Sequence, residues 1–480
     1  LTLWFKSIIN PLLQSVKISL EELKSRREQS FRGVFISDRI LRSRCFQYII
    51  IGTGTTISGD KVMSAGNGAK IVMVGGGSYN WCPRLISDLT HCPELAGSHV
   101  ELLDPNLKAA KEVKAAAEAI AKVNGNNFTF NATSDEDSAF KNADFVIITI
   151  STGDLEMMRH DLAVPEKYGI LQTVGDSVGP GGWSRTLRNV PVFVDMARKI
   201  ERLSPKAVIL NYTNPMAALT GTIAAVSSLR TVGLCHGLFG TYHALKTIFG
   251  VDEKDISVTF GGVNHFFWIY DFKVKGEDGY QALRKKLGEK SLDDILLSGK
   301  DNAGFAHTNH LFCNELFKQY GHLTYIADRH TCEFFTAPLT NPEMIKRFKL
   351  VRTTVEERYK GRERARQYAL DLASGKEKPG EKSRETAVDI MKSFVTNQPF
   401  VDVVNLPNKG QIDNLPRGAV VETLGVVDSR GFSPVTAGPM PERLLPLVEP
   451  HCRVQLMTLE AAMKGDKELA LQSLLLDPLC

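Results

Sequence analysis

From Lys70 onward, apolar strands and amphipathic helices alternate so regularly that few folds remain open to this chain. "KIVMVGGG" is an apolar run ending in glycines, and "NWCPRLISDLTHC" follows with helical spacing at Trp81, Leu85, Ile86 and Leu89. "HVELLDPN" reads as a second strand closed by an acid, "LKAAKEVKAAAEAIAKV" as an alanine-rich helix and "NADFVIITIS" as a third strand. The helix "PVFVDMARKIERLSP", the strand "AVILNYTNP", the helix "MAALTGTIAAVSS" and the short strand "TVGLCHG" continue the series. Strands joined through helices require right-handed crossovers and a mostly parallel sheet. The pattern predicts an α/β fold with this sheet over residues 68–260.

Beyond about residue 250 the character changes. "ISVTFGGVNHFFWIYDFKV" predicts antiparallel strands rich in aromatics, and residues 344–373 predict long helix with a solvated charged face. "VDVVNLPNKGQIDNLPRGAVVETLGVVD" returns to strands. A second, α+β domain is therefore expected over 261–480. Residues 1–62 carry patchy apolar and basic runs ahead of Met63 and are read as a non-native or disordered extension, apart from the fold. The net charge of +4 is weighted to the first fifty residues, which gives no support to a nucleic-acid or membrane partner. Eight scattered cysteines without a CxxC pair speak against a disulfide framework or a zinc ribbon, and for a reducing, cytoplasmic setting.

The first strand runs into "VGGGSYNW" (Val74–Trp81) and then a helix, the arrangement of a phosphate-binding loop. Glycines let a backbone approach a pyrophosphate, and a helix N-terminus offers free N–H groups and a positive dipole end. Gly75, Gly76, Gly77 and Ser78 are the candidate cradle, although the third glycine of G-x-G-x-x-G is missing. Asp104 ends the second strand, where an acid accepts ribose hydroxyls and disfavours a 2′-phosphate. Taken in order, these elements predict a Rossmann-type domain that binds NAD. A tight turn capped by Ser78 is the plain structural alternative.

Ligands of open parallel sheets sit beyond the carboxyl ends of the strands, and polar signatures cluster there. They are "DSVGPGGWSR" (Asp176–Arg185, a glycine-rich loop), "NYTNP" (Asn211–Pro215), "CHG" (Cys235–Gly237) and, past the change of character, "GVNHF" (Gly262–Phe266). Cys235 and His265 together suit a borderline divalent metal. Cysteine is equally a common core residue and a lone histidine is often satisfied in a core, so spacing leaves both readings open.

The stretches "KIVMVGGGS", "DSVGPGG", "NYTNPMA", "CHG", "GVNHF", "DRHTCEFF" and "LPNKGQIDNLPRGAVVET", in this order, resemble glycoside hydrolase family 4. These are NAD- and metal-dependent glycosidases with a lactate/malate dehydrogenase-like first domain. The resemblance runs from about Lys70 to Pro478 and is strongest to the α-galacturonidase and α-glucuronidase-like members. It implies that Cys235 and His265 ligate the metal, with Mn²⁺ the expected ion. It implies further that Gly75, Gly76, Gly77, Ser78 and Asp104 hold NAD, and that Asn214 meets the sugar near the metal and cofactor. The implied reaction is hydrolysis of an α-glycoside or uronide by NAD-mediated oxidation at C3, metal-assisted deprotonation at C2, elimination, water addition and re-reduction.

For the proton-transfer groups the resemblance leaves candidates: Tyr325, Asp328 and His330 for the base, with His330 nearest the expected position. His236 is a candidate acid or sugar-hydroxyl ligand. A uronate substrate calls for a bidentate arginine, for which Arg185 and Arg329 are the candidates. The resemblance also implies a homodimer or homotetramer, and it makes the end at "LLLDPLC" a possible truncation. Alternatives are an α-glucosidase or α-galactosidase of the same family, or an NAD-dependent 2-hydroxy acid dehydrogenase.

Overall fold

Six strands form the parallel half of the sheet in the computed structural model, which describes residues 68–297 and 310–480. They are β1 (Lys70–Val74), β2 (His99–Leu103), β3 (Thr129–Thr133), β4 (Phe145–Ile148), β5 (Val208–Asn211) and β6 (Arg230–Gly233), in the order β3-β2-β1-β4-β5-β6. Every neighbouring pair among them is parallel. Helices cover both faces, so β4 and β5 are buried at every position. One resulting core gathers Val72, Ile148, Phe193, Ile209 and Ile223. The expectation for residues 1–62 lies outside the described residues.

The sheet does not stop at β6. It continues antiparallel through β10 (Phe400–Pro407), β11 (Val420–Asp428), β7 (Ile256–Val263), β8 (Phe266–Val274) and β9 (Glu277–Asp278), while β12 (Gly431–Pro434) pairs with β11. The aromatic stretch thus folds as the antiparallel hairpin β7–β8, with Phe266, Phe267 and Trp268 fully buried. Asn264 and His265 are its two turn residues.

Three local expectations give way to tertiary context. β3 ("TFNAT") is a half-exposed edge strand, and its polar alternation hid it. The glycines of "GPGG" open a 25-residue helix, Gly179–Leu203, instead of a loose loop. A Cβ on Gly182 would stand 2.5 Å from the Ser177 carbonyl carbon, so that glycine serves close backbone approach. Residues 344–373 break into the helices Pro342–Arg347 and Val355–Ser374. The break is set by a capping box in which Thr354 and Glu357 satisfy each other's backbone amides.

The N-terminus of the helix Gly179–Leu203 is capped from the far end of the chain. Asp477 accepts the Gly179 amide at 3.0 Å and the Leu479 amide at 3.0 Å. Burial pushes its carboxyl up to about 6 against these two bonds. The folded state therefore holds this proton more tightly than the unfolded chain, and the stability it contributes is lost as pH rises from about 4 through about 6. An Asp477→Asn variant escapes that loss. Its melting temperature relative to the native protein is expected to rise between pH 4 and pH 7, and a pH-independent difference in thermal melts would refute the argument.

Candidate active site

The strand order reverses between β1 and β4, and the crevice opens at their carboxyl ends. β1 runs into Gly75, whose φ of +89° favours glycine. A Cβ on Gly76 would lie 2.4 Å from the carbonyl carbon of Leu102, and one on Gly77 would lie 2.7 Å from Ala109 Cβ. The amides of Gly75 and Gly76 donate to the Leu103 carbonyl, and Gly77 donates to Asp104 Oδ2 at 2.9 Å. The glycines thus seat the loop on β2. No side chain caps the following helix, Cys82–Thr90; its Cys82 amide donates to the Ser78 carbonyl and Pro83 has none, so the helix turns chiefly its positive dipole end toward a phosphate. Ser78 Oγ accepts the Trp81 amide at 3.4 Å inside the turn. Asp104 Oδ1 accepts the Asn106 amide, and each carboxylate oxygen keeps a lone pair for a ribose hydroxyl. Beside it opens a cleft of about 310 Å³ lined by Tyr79, Asn106, Lys108, Arg362 and Arg366. These features fit a dinucleotide.

Among the described residues, the ligand atoms of Asp176, His265 and His330 lie within 4.8 Å of one another. Burial alone would raise the Asp176 carboxyl, but His330, His265 and Arg185 outweigh it and hold it below the usual carboxylate range. Burial lowers His265 to about 4 and pushes His330 well below the usual histidine range. At neutral pH the set is one carboxylate and two neutral imidazoles, a donor set suited to Mn²⁺, Fe²⁺, Co²⁺ or Zn²⁺.

Hydrogen bonds fix the tautomer of His265. Ser177 Oγ lies 2.9 Å from Asp176 Oδ1 and 2.9 Å from His265 Nδ1. An ionised carboxylate only accepts, so the single hydroxyl proton goes to Asp176. Ser177 must then accept from Nδ1–H, which leaves the Nε2 lone pair of His265 for a metal. His265 holds φ +65° at its hairpin turn, a strained conformation for a non-glycine residue that the surrounding packing maintains. Its ring stacks on Tyr325 at 5.5 Å and stands 4.3 Å from the His330 ring.

The remaining candidates surround this group. Cys235 stands outside the close triad, just ahead of the helix Gly237–Phe249. Burial raises its thiol, opposed by hydrogen bonds from Asn264 and the Gly237 amide, and Tyr325 lies within its electrostatic reach. Asn214 Nδ2 donates to Asp176 Oδ2 at 3.3 Å. His236 keeps 59% of its side chain exposed, 3.8 Å from Glu385. Arg185 and Arg329 are both half-buried, and each is within electrostatic reach of the group. Asp328 faces elsewhere: its two oxygens accept the Phe312 and Cys313 amides at 2.7 and 2.8 Å, capping the helix Leu311–Tyr320.

Sequence reasoning missed Asp176 and Ser177 as individual residues, although their motif was singled out. It also missed Glu333, whose Oε1 accepts the Val174 amide (2.7 Å), the Gly175 amide (2.9 Å) and the Thr173 hydroxyl (3.1 Å). A buried acid inside "DRHTCEFF" was the available signal, but nothing local says which backbone it holds.

Family models match most of the described chain. The family 4 glycosyl hydrolase model matches residues 70–251, and the family 4 glycosyl hydrolase C-terminal domain matches residues 260–480. The chain is 36% identical to an alpha-galacturonidase of Thermoanaerobacter italicus, over 88% of this chain and 93% of that protein. An alpha-galacturonidase of Bacillus subtilis is 34% identical over 93% of its length. The solved structure of the Bacillus subtilis protein lplD superposes with a TM-score of 0.78 at 32% identity, covering 86% of this chain and 96% of that one.

Proposed function

The chain belongs to glycosyl hydrolase family 4, and from that premise we propose that it hydrolyses α-galacturonides with NAD and Mn²⁺ bound in the crevice described above. The observation that carries the substrate is the 36% identity to an alpha-galacturonidase across 93% of that protein. Bound there, NAD supplies a hydride acceptor and the divalent metal a Lewis acid for the sugar oxygens.

The chain's own residues then have distinct tasks. The loop Gly75–Ser78, the uncapped helix behind it and Asp104 seat the dinucleotide. Asp176 and His265 offer a carboxylate oxygen and a free Nε2 to the metal, with Cys235, which lies within reach of Tyr325, a further donor. Asn214, held by Asp176, presents its amide to sugar hydroxyls. His330 is neutral at neutral pH, so it either completes the donor set or takes a proton from the sugar. His236, exposed beside Glu385, is placed to give a proton to the leaving oxygen. The seven described cysteines are all unpaired, which supports a reducing, cytoplasmic setting. Among the described residues no helix is long and apolar enough to cross a membrane. We also take a homodimer or homotetramer as the working assembly.

Hydrolysis of 4-nitrophenyl α-galacturonide, α-glucuronide, α-galactoside and α-glucoside, with and without Mn²⁺, NAD⁺ and reductant, tests this reading. Galacturonide turnover requiring both additions, with NAD⁺ not consumed, is expected. Full activity after both are removed would overturn the cofactor roles, and NADH accumulating in step with product would mark a dehydrogenase.

A further inference from the structure

The helix Val355–Ser374 reads in the sequence as a solvated charged face, yet its Tyr359, Arg362 and Arg366 line the cleft beside the glycine loop. Its arginines are treated unequally. Arg362 pairs with Asp154 at 3.6 Å, and Arg366 pairs with Glu112 at 2.8 Å. Arg358, one turn into the helix, forms no ion pair among the described residues. The nearby acids are committed elsewhere: Glu356 to Arg159 and Glu357 to the Thr354 amide.

Three segments bring Arg358 to the site. The Thr353 amide donates to the Thr173 carbonyl at 2.7 Å, which ties the helix entrance to the loop that carries Asp176. The Thr173 hydroxyl donates to the Arg329 carbonyl at 2.5 Å, which ties the same loop to the segment carrying Arg329 and His330. Arg185 lies two turns along the helix that starts at Gly179. As a result Arg185 and Arg358 both stand within electrostatic reach of Asp176, Arg329 stands within reach of His330, and Arg358 feels the other two arginines. Neither Arg185 nor Arg329 has an ion-pair partner among the described residues. Arg185 donates only a long 3.4 Å bond to Ser151 Oγ.

Three guanidinium groups gather here with Asp176 and Glu357 the acids within their reach, which leaves a net positive pocket beside the donor triad. Protein atoms crowd the Arg358 head group while its side chain keeps contact with water, as expected of a cleft wall. A cleft wall lined by one sign of charge draws an anion to it. A planar fork matches a carboxylate bidentately.

We propose that Arg358, supported by Arg329 and Arg185, binds the C6 carboxylate of the substrate and sets the preference for uronides over neutral glycosides. The inference rests on the galacturonide reading above and adds the residue that makes the distinction.

The test compares kcat/KM for 4-nitrophenyl α-galacturonide and α-galactoside, with Mn²⁺ and NAD⁺ present, for the native enzyme, Arg358→Ala and Arg358→Lys. Loss of one charge-assisted hydrogen-bonded partner predicts that Arg358→Ala lowers the galacturonide-to-galactoside ratio about 10- to 150-fold. Arg358→Lys keeps the charge without the fork and should lie between. Competition by free galacturonate should weaken in the alanine variant in the same proportion. A native enzyme that prefers galacturonide, with the ratio unchanged in Arg358→Ala, overturns this inference alone. A native enzyme that prefers the neutral galactoside overturns the proposed substrate and this inference with it.

Discussion

Replacing His265 with alanine is expected to lower kcat/KM by at least about 10³-fold and to abolish stoichiometric Mn²⁺ binding. The expectation follows from the hydrogen bonds around the ring. Asp176 is acceptor-only, Ser177 spends its one proton there, and His265 must carry its own proton on Nδ1. The Nε2 lone pair is then the one left for a metal, and alanine removes one of the three donors that stand within 4.8 Å of one another. Ser177→Ala separates orientation from ligation: the imidazole stays but loses its partner, and a fall of about 10- to 100-fold in metal affinity is expected. His265→Gly controls for folding, because glycine accepts the φ of +65° that strains any other residue. The glycine variant should melt no lower than the alanine variant while being equally inactive. Titration of Mn²⁺ by calorimetry, alongside thermal melts, checks both points. An alanine variant that still binds one Mn²⁺ with native affinity would remove His265 from the site.

The second large effect is expected from a residue that touches no substrate. Glu333 is 1% exposed, and one of its oxygens holds the amides of Val174 and Gly175 and the hydroxyl of Thr173. Asp176 is the next residue along. Glu333→Ala leaves the two buried amides of Val174 and Gly175 without a partner, each worth about 1–3 kcal/mol of lost solvation. The loop cannot keep its course at that cost, so Asp176 moves from His265 and His330. A loss of about 3 kcal/mol in stability, with about a 100-fold fall in kcat/KM, is expected. Glu333→Gln keeps an acceptor oxygen in place and should retain much more of both. Burial pushes the Glu333 carboxyl up to about 7, opposed by the Val174 and Gly175 amides, so a neutral amide is a near neighbour of the native state. Denaturant melts, Mn²⁺ affinity and kinetics together decide the case. A Glu333→Ala enzyme with native metal affinity would show that the loop holds itself.

Legibility in the sequence followed the range of the interaction. The parallel strands, the glycine loop after β1 and the acid at Asp104 were readable because period and turn chemistry act within a few residues. β3 escaped because an edge strand exposes one face and loses the apolar signature. The break ahead of Val355 was written as Thr354 and Glu357, three residues apart, but was masked by charge density on both sides. Cys235, His265 and Asn214 could be picked out at strand ends and as parts of a family pattern. Asp328 could be picked out too, and only the structure showed both its oxygens spent on a helix cap.

By itself the sequence determined the α/β order, the dinucleotide loop and the family, because each rests on short patterns that any chain with these residues must express locally. Tertiary structure alone decided which donors meet. Ser177 and His265 are 88 residues apart, Thr173 and Glu333 160 apart, and Gly179 and Asp477 298 apart. Nothing in one partner's neighbourhood encodes the other. Their meeting depends on how the antiparallel strands β7, β10 and β11 extend the sheet, and on buried backbone amides that must find an acceptor wherever the fold brings one.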